Sequence, residues 1–210
     1  FPTRRSSDLV LVIAEHNNQT LNPAVRHAVS AAAKLGSVHL LVAGSGAAAV
    51  AEQAVKVAGV EKVLLADAPH YAEALAEELA PLVVSLAADY RYIASAADAF
   101  GKNLMPRIAA LLDCSQVSDV VEIIDGDTFV RPIYAGNALV TLKCTEPKLV
   151  LTFRTTAFDA AADGGSAETV SAAPTPAQNI SRFVSRELPQ SERPELTQAR
   201  VVVSGGKGLG

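Results

Sequence analysis

Two hydrophobic rhythms alternate through the first half of this chain: short unbroken apolar runs, and stretches in which apolar residues return every three to four positions. Residues 9–14 form an apolar run suited to a strand buried on both faces. Asn22 followed by Pro23 starts a helix, with Asn as N-cap and Pro at the first helical position. Val25, Ala28, Val29, Ala32 and Leu35 share its inner face, and Gly36 ends it. A second strand over 38–42 leads to a second helix over 47–58 with Val50, Ala54 and Val57 facing inward. A third strand covers 62–66. A longer helical pattern runs from Tyr71 to Ala88 through Leu75, Leu79, Leu82 and Leu86, where Pro81 either kinks the helix or opens a separate one. Residues 92–95 are a fourth strand, and Leu104, Ile108, Leu111 and Leu112 mark a fourth helix. Four strand–helix units in series predict a parallel sheet with right-handed crossovers and helices on both faces.

After Leu112 the pattern changes. Residues 117–124, 128–134, 139–144 and 148–153 read as strands separated by turns, and Gly136-Asn137 is a hairpin signal between two of them. Pro132 inside its strand predicts an edge position. The fold class expected is therefore α/β, a three-layer α/β/α Rossmann-like domain over residues 10–157 whose mainly parallel sheet continues into C-terminal antiparallel strands. Residues 158–198 read as a linker, since Ala, Gly, Ser, Pro and Thr dominate from Phe158 to Asn179. Within it, 180–188 is expected to hold a short element and 191–198 a polar approach to one last strand. Residues 199–210 close on Val201-Val202-Val203-Ser204-Gly205-Gly206-Lys207-Gly208, a β-branched run discharging into a Gly-rich loop. That is the expected first strand of a truncated nucleotide-binding unit, where glycines let the backbone approach a phosphate. Residues 1–9 share no period with the rest of the chain and read as a non-native, adapter-like leader. Arg4, Arg5, Ser6 and Ser7 would alternatively suit a transit peptide.

Composition narrows the classes. Half of the 210 residues are hydrophobic, enough for a sizeable core. A formal charge of −4 argues against a nucleic-acid surface, which needs a basic face. No apolar run approaches the ~18 residues of a membrane span. Cys114 and Cys144 show no CxxC spacing and read as reduced, partly buried thiols.

Three motifs carry candidate chemistry. Gly44-Ser45-Gly46-Ala47-Ala48-Ala49 matches the G-x-G-x-x-A dinucleotide fingerprint, with Asp67 placed to meet a ribose. It follows the second strand rather than the first, so tight-turn chemistry is the preferred reading and NAD binding the alternative. Phe100-Gly101-Lys102-Asn103-Leu104-Met105-Pro106-Arg107 is expected to put two cations, Lys102 and Arg107, in the first turn of a helix, where the helix dipole disfavours them. That mismatch suggests an external partner. Glu15-His16-Asn17 sits at the carboxyl end of the first strand, where open α/β sheets place ligands. A lone His without a second ligand favours a structural or interface role there. Asp125 and Asp127 read as turn chemistry, and no G-x-S-x-G elbow occurs. The absence of a convincing catalytic constellation suits a carrier or scaffold better than an enzyme.

Several segments occur together in the order of one known family. Val12-Ile13-Ala14-Glu15-His16, residues 99–107, Thr128-Phe129-Val130-Arg131 with Ile133-Tyr134-Ala135-Gly136-Asn137-Ala138, and Arg193-Pro194-Glu195-Leu196-Thr197 leading into 201–209 resemble the electron transfer flavoprotein α subunit. The resemblance covers 9–210. It implies an N-terminal α/β domain that binds no flavin and packs on a β subunit, followed by a domain that holds FAD. It also implies an electron carrier with no substrate chemistry of its own, taking electrons from dehydrogenases such as acyl-CoA dehydrogenases and passing them to a membrane quinone reductase. By position, Gly205, Gly206, Lys207 and Gly208 would touch FAD in the full-length subunit. The family usually carries Arg at the place of Lys207, and Lys keeps the charge but not the planar fork. This chain alone is expected not to hold FAD. Lys102 and Arg107 would meet acidic groups across a subunit or domain interface. A bacterial cytoplasm, or alternatively a mitochondrial matrix, is implied. The competing readings are a stand-alone nucleotide-binding regulatory module and an NAD-dependent dehydrogenase domain using 44–49.

Overall fold

The computed structural model describes residues 8–187, 196, 199 and 201–209. The unbroken apolar run at the start becomes β1 (Leu9–Ile13). Asn22 closes the head of α1 (Ala24–Ala32), its side-chain oxygen accepting the Ala24 N–H at 2.9 Å. There follow β2 (Ser37–Gly44), α2 (Ala48–Val55) and β3 (Val60–Asp67). Next come α3 (Ala76–Leu86), β4 (Tyr92–Ala96), α4 (Ala99–Leu111) and β5 (Gln116–Val120). The chain ends its regular strands with β6 (Glu122–Ile123), β7 (Thr128–Ile133), β8 (Ala138–Lys143), β9 (Leu149–Phe153) and β10 (Glu168–Ser171).

Seven strands form one sheet in the order β10-β3-β2-β1-β4-β9-β5, and every pair in it is parallel. Alternate strand residues feed two cores. Val10, Val12, Leu40 and Leu151 meet α1 and α2 on one face, while Leu11, Ile13, Leu41 and Val150 meet α3 and α4 on the other. The expected three-layer α/β/α architecture is what the chain forms.

The antiparallel strands differ from expectation in an instructive way. They do not extend the parallel sheet: β6, β7 and β8 make a separate three-stranded sheet. β9, expected among that set, returns instead to the parallel sheet between β4 and β5. The reason is chemical. Leu149-Val150-Leu151-Thr152-Phe153 is apolar on both faces and every residue is buried, whereas β8 alternates between half-buried and exposed. Pro132 lies in the middle strand of the small sheet, yet β6 reaches only as far as Val130, so its missing N–H faces no neighbour on that side.

Two further expectations are corrected. The helix predicted from Tyr71 begins only at Ala76, because Pro69–Tyr71 is a separate 3₁₀ turn, Ala74 is left-handed (φ +49°) and Leu75 is extended. Pro81 sits inside α3 rather than at its start. The segment read as linker carries β10, which adds to the free edge of β3 in parallel. Its path wraps the ends of α1 and α2: Arg26 donates to the Ala161 carbonyl (3.1 Å) and pairs with Asp163, and Gly164 and Gly165 N–H both donate to the Lys56 carbonyl at 3.0 Å. Gly165 lies so close that a Cβ would stand 2.4 Å from the Val57 oxygen. Residues 180–187 form no regular element. The expectations for residues 1–7, Leu188 and 191–195 lie outside the described residues.

Candidate functional site

The chain runs outward from β1 through β2 to β3, then crosses back to place β4 on the other side of β1. The carboxyl ends of β1 and β4 therefore flank the topological switch point, where open α/β sheets form their crevice. A crevice of about 1110 Å³ opens there, with Glu15, His16, Asn22, Glu73, Phe100 and Arg186 among its lining residues.

The loop after β1 is fixed by its own side chains. Asn17 accepts the N–H groups of Gln19 (3.0 Å) and Thr20 (2.7 Å), and Gln53 from α2 accepts the Leu21 N–H at 3.0 Å. His16 Nδ1 accepts the Asn18 N–H at 3.1 Å, and burial pushes the imidazole below its ordinary value. That contact gives the ring a part in holding the loop.

Glu15 is different. Burial, then the charge and hydrogen bond of Asp98, push its carboxyl from 4.5 up to about 7, against the stabilising contact from the Asn22 amide. Asp98 stands at the head of α4, its Oδ1 accepting the Gly101 N–H at 2.9 Å while its buried Oδ2 has no other hydrogen-bond partner among the described residues. A proton kept on Glu15 lets its hydroxyl donate to Asp98, which is how two close carboxyl groups avoid facing each other as like charges. A folded state that keeps a proton the unfolded chain releases loses stability as pH rises between 4.5 and about 7. Glu15 is only half-buried, so solvent screening reduces the effect to about 1 kcal/mol. Glu15→Gln, which mimics the protonated form, is therefore expected to melt higher than the parent chain at about pH 8, the gain shrinking as pH falls toward the ordinary carboxylate range. A constant difference at all pH values, read by thermal melts, would contradict the proton kept on Glu15.

The fingerprint loop is not built for a pyrophosphate. The Ser45 N–H donates to Asn18 Oδ1 (3.0 Å) and the Gly46 N–H to Asp67 Oδ1 (2.9 Å). Asp67, the expected ribose acid, thus occupies the loop's own donors with a negative charge. A Cβ on Gly44 would stand 2.4 Å from Asn18 Oδ1, so this glycine serves a close approach within the fold.

Lys102 and Arg107 are not both in the first turn. α4 begins at Ala99, which puts Lys102 at the fourth helical position and Arg107 in the third turn, beyond reach of the N-terminal dipole. Lys102 is exposed, and Arg107 lies 3.8 Å from Glu77 of α3, with its Nε buried and unpartnered among the described residues. The residue that sequence reasoning misses here is Asp98. An Asp directly before an apolar helical period is an N-cap signal, but its meeting with Glu15 depends on β4 lying beside β1.

At the far end, Val201, Val202 and Val203 join no strand and are exposed, Val203 at 93%. A β-branched run without a neighbouring strand has no ladder to complete. Gly205 and Gly206 come next after Ser204, and Lys207–Leu209 is a 3₁₀ turn. Added Cβ atoms on Gly206 or Gly208 would meet nothing within 4 Å among the described residues. Cys114 and Cys144 are free, half-buried thiols raised by burial.

A second feature is not announced by the sequence pattern. The β7–β8 hairpin presents Tyr134 (79% exposed) and Leu139 (68%), and β8 is the outer strand of its sheet. Arg131 on β7 has a buried Nε without an acceptor among the described residues. Among those residues, no group of three or more His, Cys, Asp or Glu side chains suits a metal, and no helix is long and apolar enough to cross a membrane.

Residues 10–177 match the family described as "Electron transfer flavoprotein domain". The chain is 50% identical over 202 residues to a Pseudomonas aeruginosa protein named "Electron transfer flavoprotein subunit alpha", covering 95% of this chain and 65% of that protein. It is likewise 50% identical over 202 residues to the Paracoccus denitrificans protein of that name, covering 96% and 66%. A Dictyostelium discoideum protein named "Electron transfer flavoprotein subunit alpha, mitochondrial" is 46% identical over 217 residues, covering 95% and 61%. The chain thus spans a little under two thirds of the length of the curated relatives it matches.

Proposed function

From the premise that the chain belongs to the electron transfer flavoprotein domain family, we propose that it is part of an α subunit and supplies the folded base on which a β subunit pairs. The observation that supports this best is the half-identity to proteins named α subunits across both the parallel sheet and the small antiparallel sheet. The structure adds a surface of the right kind: an apolar hairpin, an unpaired strand edge and a buried arginine nitrogen lacking an acceptor among the described residues. Exposed aromatic and aliphatic side chains are common anchors of a protein interface. Lys102, exposed on α4, belongs to this reading as a surface cation facing an acidic partner, and Arg107 as a residue shared between Glu77 and that partner.

In the complete subunit, FAD would supply the redox chemistry of a carrier between dehydrogenases such as acyl-CoA dehydrogenases and a quinone reductase. Gly205, Gly206, Lys207 and Gly208 would form one edge of its site, with Lys207 offering a cation to the phosphates. Around Gly206 and Gly208 the described residues leave open space, so the rest of a cradle for the group would have to come from other residues. The role is that of a carrier in a bacterial cytoplasm or a mitochondrial matrix, with no substrate turned over by its own side chains. The loop at 44–49 gives the NAD-dehydrogenase reading little support, because Asn18 and Asp67 already hold its N–H groups.

The test is pairing. Tyr134→Asp combined with Leu139→Asp should leave the circular dichroism and melting of the chain unchanged, because both side chains are exposed, and should weaken binding to an electron transfer flavoprotein β subunit about 100-fold or more. Unchanged binding by the double variant would place the interface elsewhere.

A further inference from the structure

The small sheet of β6, β7 and β8 is fastened to the parallel sheet by a side chain from the core. Tyr92 of β4 is fully buried and belongs to the same core as Phe129 of β7. Its hydroxyl donates to the Gly126 carbonyl at 2.6 Å, in the turn that joins β6 to β7. A buried tyrosine needs a partner for its polar end. Burial pushes this hydroxyl up to about 12, so it stays protonated and a donor across the neutral range. The turn does not need the Gly126 carbonyl for its own shape. Asp125 Oδ1 accepts the Asp127 N–H at 2.9 Å, the Ile124 N–H donates to the Thr128 carbonyl at 3.0 Å, and the Cys144 N–H donates to the Asp127 carbonyl at 2.7 Å. That leaves the Gly126 carbonyl to hold the sheet to the body. The fit is close: a Cβ on Gly126 would stand 2.9 Å from the Tyr92 hydroxyl oxygen, at the end of a fully buried ring.

This pin and the exposed apolar side chains lie at opposite ends of one strand. Gly126 precedes β7 and Tyr134 follows it, with Leu139 paired to Pro132 across the ladder. Six strand residues at ~3.3 Å each separate the two ends by roughly 20 Å. β7 is bonded again near its middle, where the Val121 N–H donates to the Val130 carbonyl at 2.9 Å. One point of attachment leaves a strand free to pivot, whereas two fix its direction. We propose, on the pairing role given above to Tyr134 and Leu139, that Tyr92 is the positioning residue of that surface. Its bond to Gly126 sets the angle at which the small sheet stands on the body, and so where the two anchors meet a β subunit. Without the hydroxyl, β7 tilts about Val130, and a tilt of a few degrees carries Tyr134 by about an ångström. An interface whose anchors are not held in place loses affinity in ordering them.

The test compares two buried tyrosines. Tyr71, fully buried in the core on the other face of the sheet, also has its hydroxyl bonded to backbone, accepting the Thr175 N–H at 2.9 Å. Tyr92→Phe and Tyr71→Phe each remove one hydroxyl, so similar small drops in melting temperature are expected. Binding of the whole chain to an electron transfer flavoprotein β subunit is measured well below the melts, together with residual dipolar couplings of the free chain. Tyr92→Phe should weaken binding about 10-fold, mostly through faster dissociation. It should also move the β7 and β8 amides off the alignment that fits the parallel strands. Gly126→Ala, which wedges the same contact, should do likewise, and Tyr71→Phe should do neither. Unchanged binding by Tyr92→Phe, with the parent chain binding, would overturn the positioning role alone, whether or not the couplings move. Equal weakening by Tyr71→Phe would reduce Tyr92 to a general contribution to stability and overturn it as well. A parent chain that does not bind would remove the pairing reading and the positioning role with it. If Gly126→Ala does not fold, Tyr92→Phe still decides.

Discussion

Gly101→Ala is expected to destabilise the fold by about 3 kcal/mol or more, and to lower its melting temperature by roughly 10 °C. A Cβ at this position would stand 2.0 Å from the Ala96 carbonyl oxygen and 2.3 Å from Ser95 Oγ. The first of these is backbone at the end of β4, which cannot swing aside as a flexible side chain does. Gly101 also donates its N–H to Asp98 Oδ1, so the first turn of α4 is pressed against β4 and capped at once. Moving α4 outward to relieve the clash would disturb the carboxyl pair of Glu15 and Asp98 as well. Lys102→Ala, one residue on and exposed, should change stability by less than about 0.5 kcal/mol. If thermal melts show the two variants to be alike, the close approach of α4 to β4 is wrong.

Phe153→Ala should cost about 3–5 kcal/mol. Phe153 is fully buried in β9, paired with Ala96 on one side and Val120 on the other, and its ring meets Phe158 edge-on at 5.7 Å. The size of the loss decides where β9 sits. An interior strand of the parallel sheet, covered on both faces, loses a full aromatic side chain's burial, while an outer strand of an antiparallel sheet with one solvated face would lose far less. Denaturant unfolding of the variant separates the two: a loss near about 1 kcal/mol would favour the outer position.

Those two residues also show how far the sequence can be read. The units from β1 through β3, and β4 with α4, are legible because each signal is local: an apolar run, an Asn-Pro helix start, a helical period. The place of β9 has a local signal too, the unbroken apolar run from Leu149 to Phe153, but neighbouring turns and hairpin residues suggest membership in the antiparallel set. β10 leaves almost no trace, since Glu168-Thr169-Val170-Ser171 becomes a strand only because β3 offers it an open edge. The delayed start of α3 rests on the left-handed Ala74, a conformation that alanine composition does not announce.

The candidate site is legible in parts. The pattern puts Glu15 and His16 at the end of β1, where the structure has them, and the position of the 44–49 fingerprint after the second strand already favours tight-turn chemistry. What brings Glu15 to Asp98 is the crossing of the chain to the far side of β1, a property of strand order and not of either segment. Likewise the hairpin's exposed Tyr134 and Leu139 stand out only once their sheet is seen to be separate from the main one. Arg107 falls away from the expected first turn because Asp98 caps α4 so early, which carries it from the dipole's reach to a contact with Glu77 while Lys102 stays at the fourth helical position.

The decisive measurement is sedimentation of this chain mixed with the β subunit of Paracoccus denitrificans electron transfer flavoprotein, whose α partner is half identical to it. At about 10 μM of each, well above the Kd of a specific heterodimer, a one-to-one complex should form, and it should be lost in the Tyr134→Asp, Leu139→Asp double variant. Two species sedimenting separately, with the chain folded by circular dichroism, would contradict the proposed role as the base of subunit pairing.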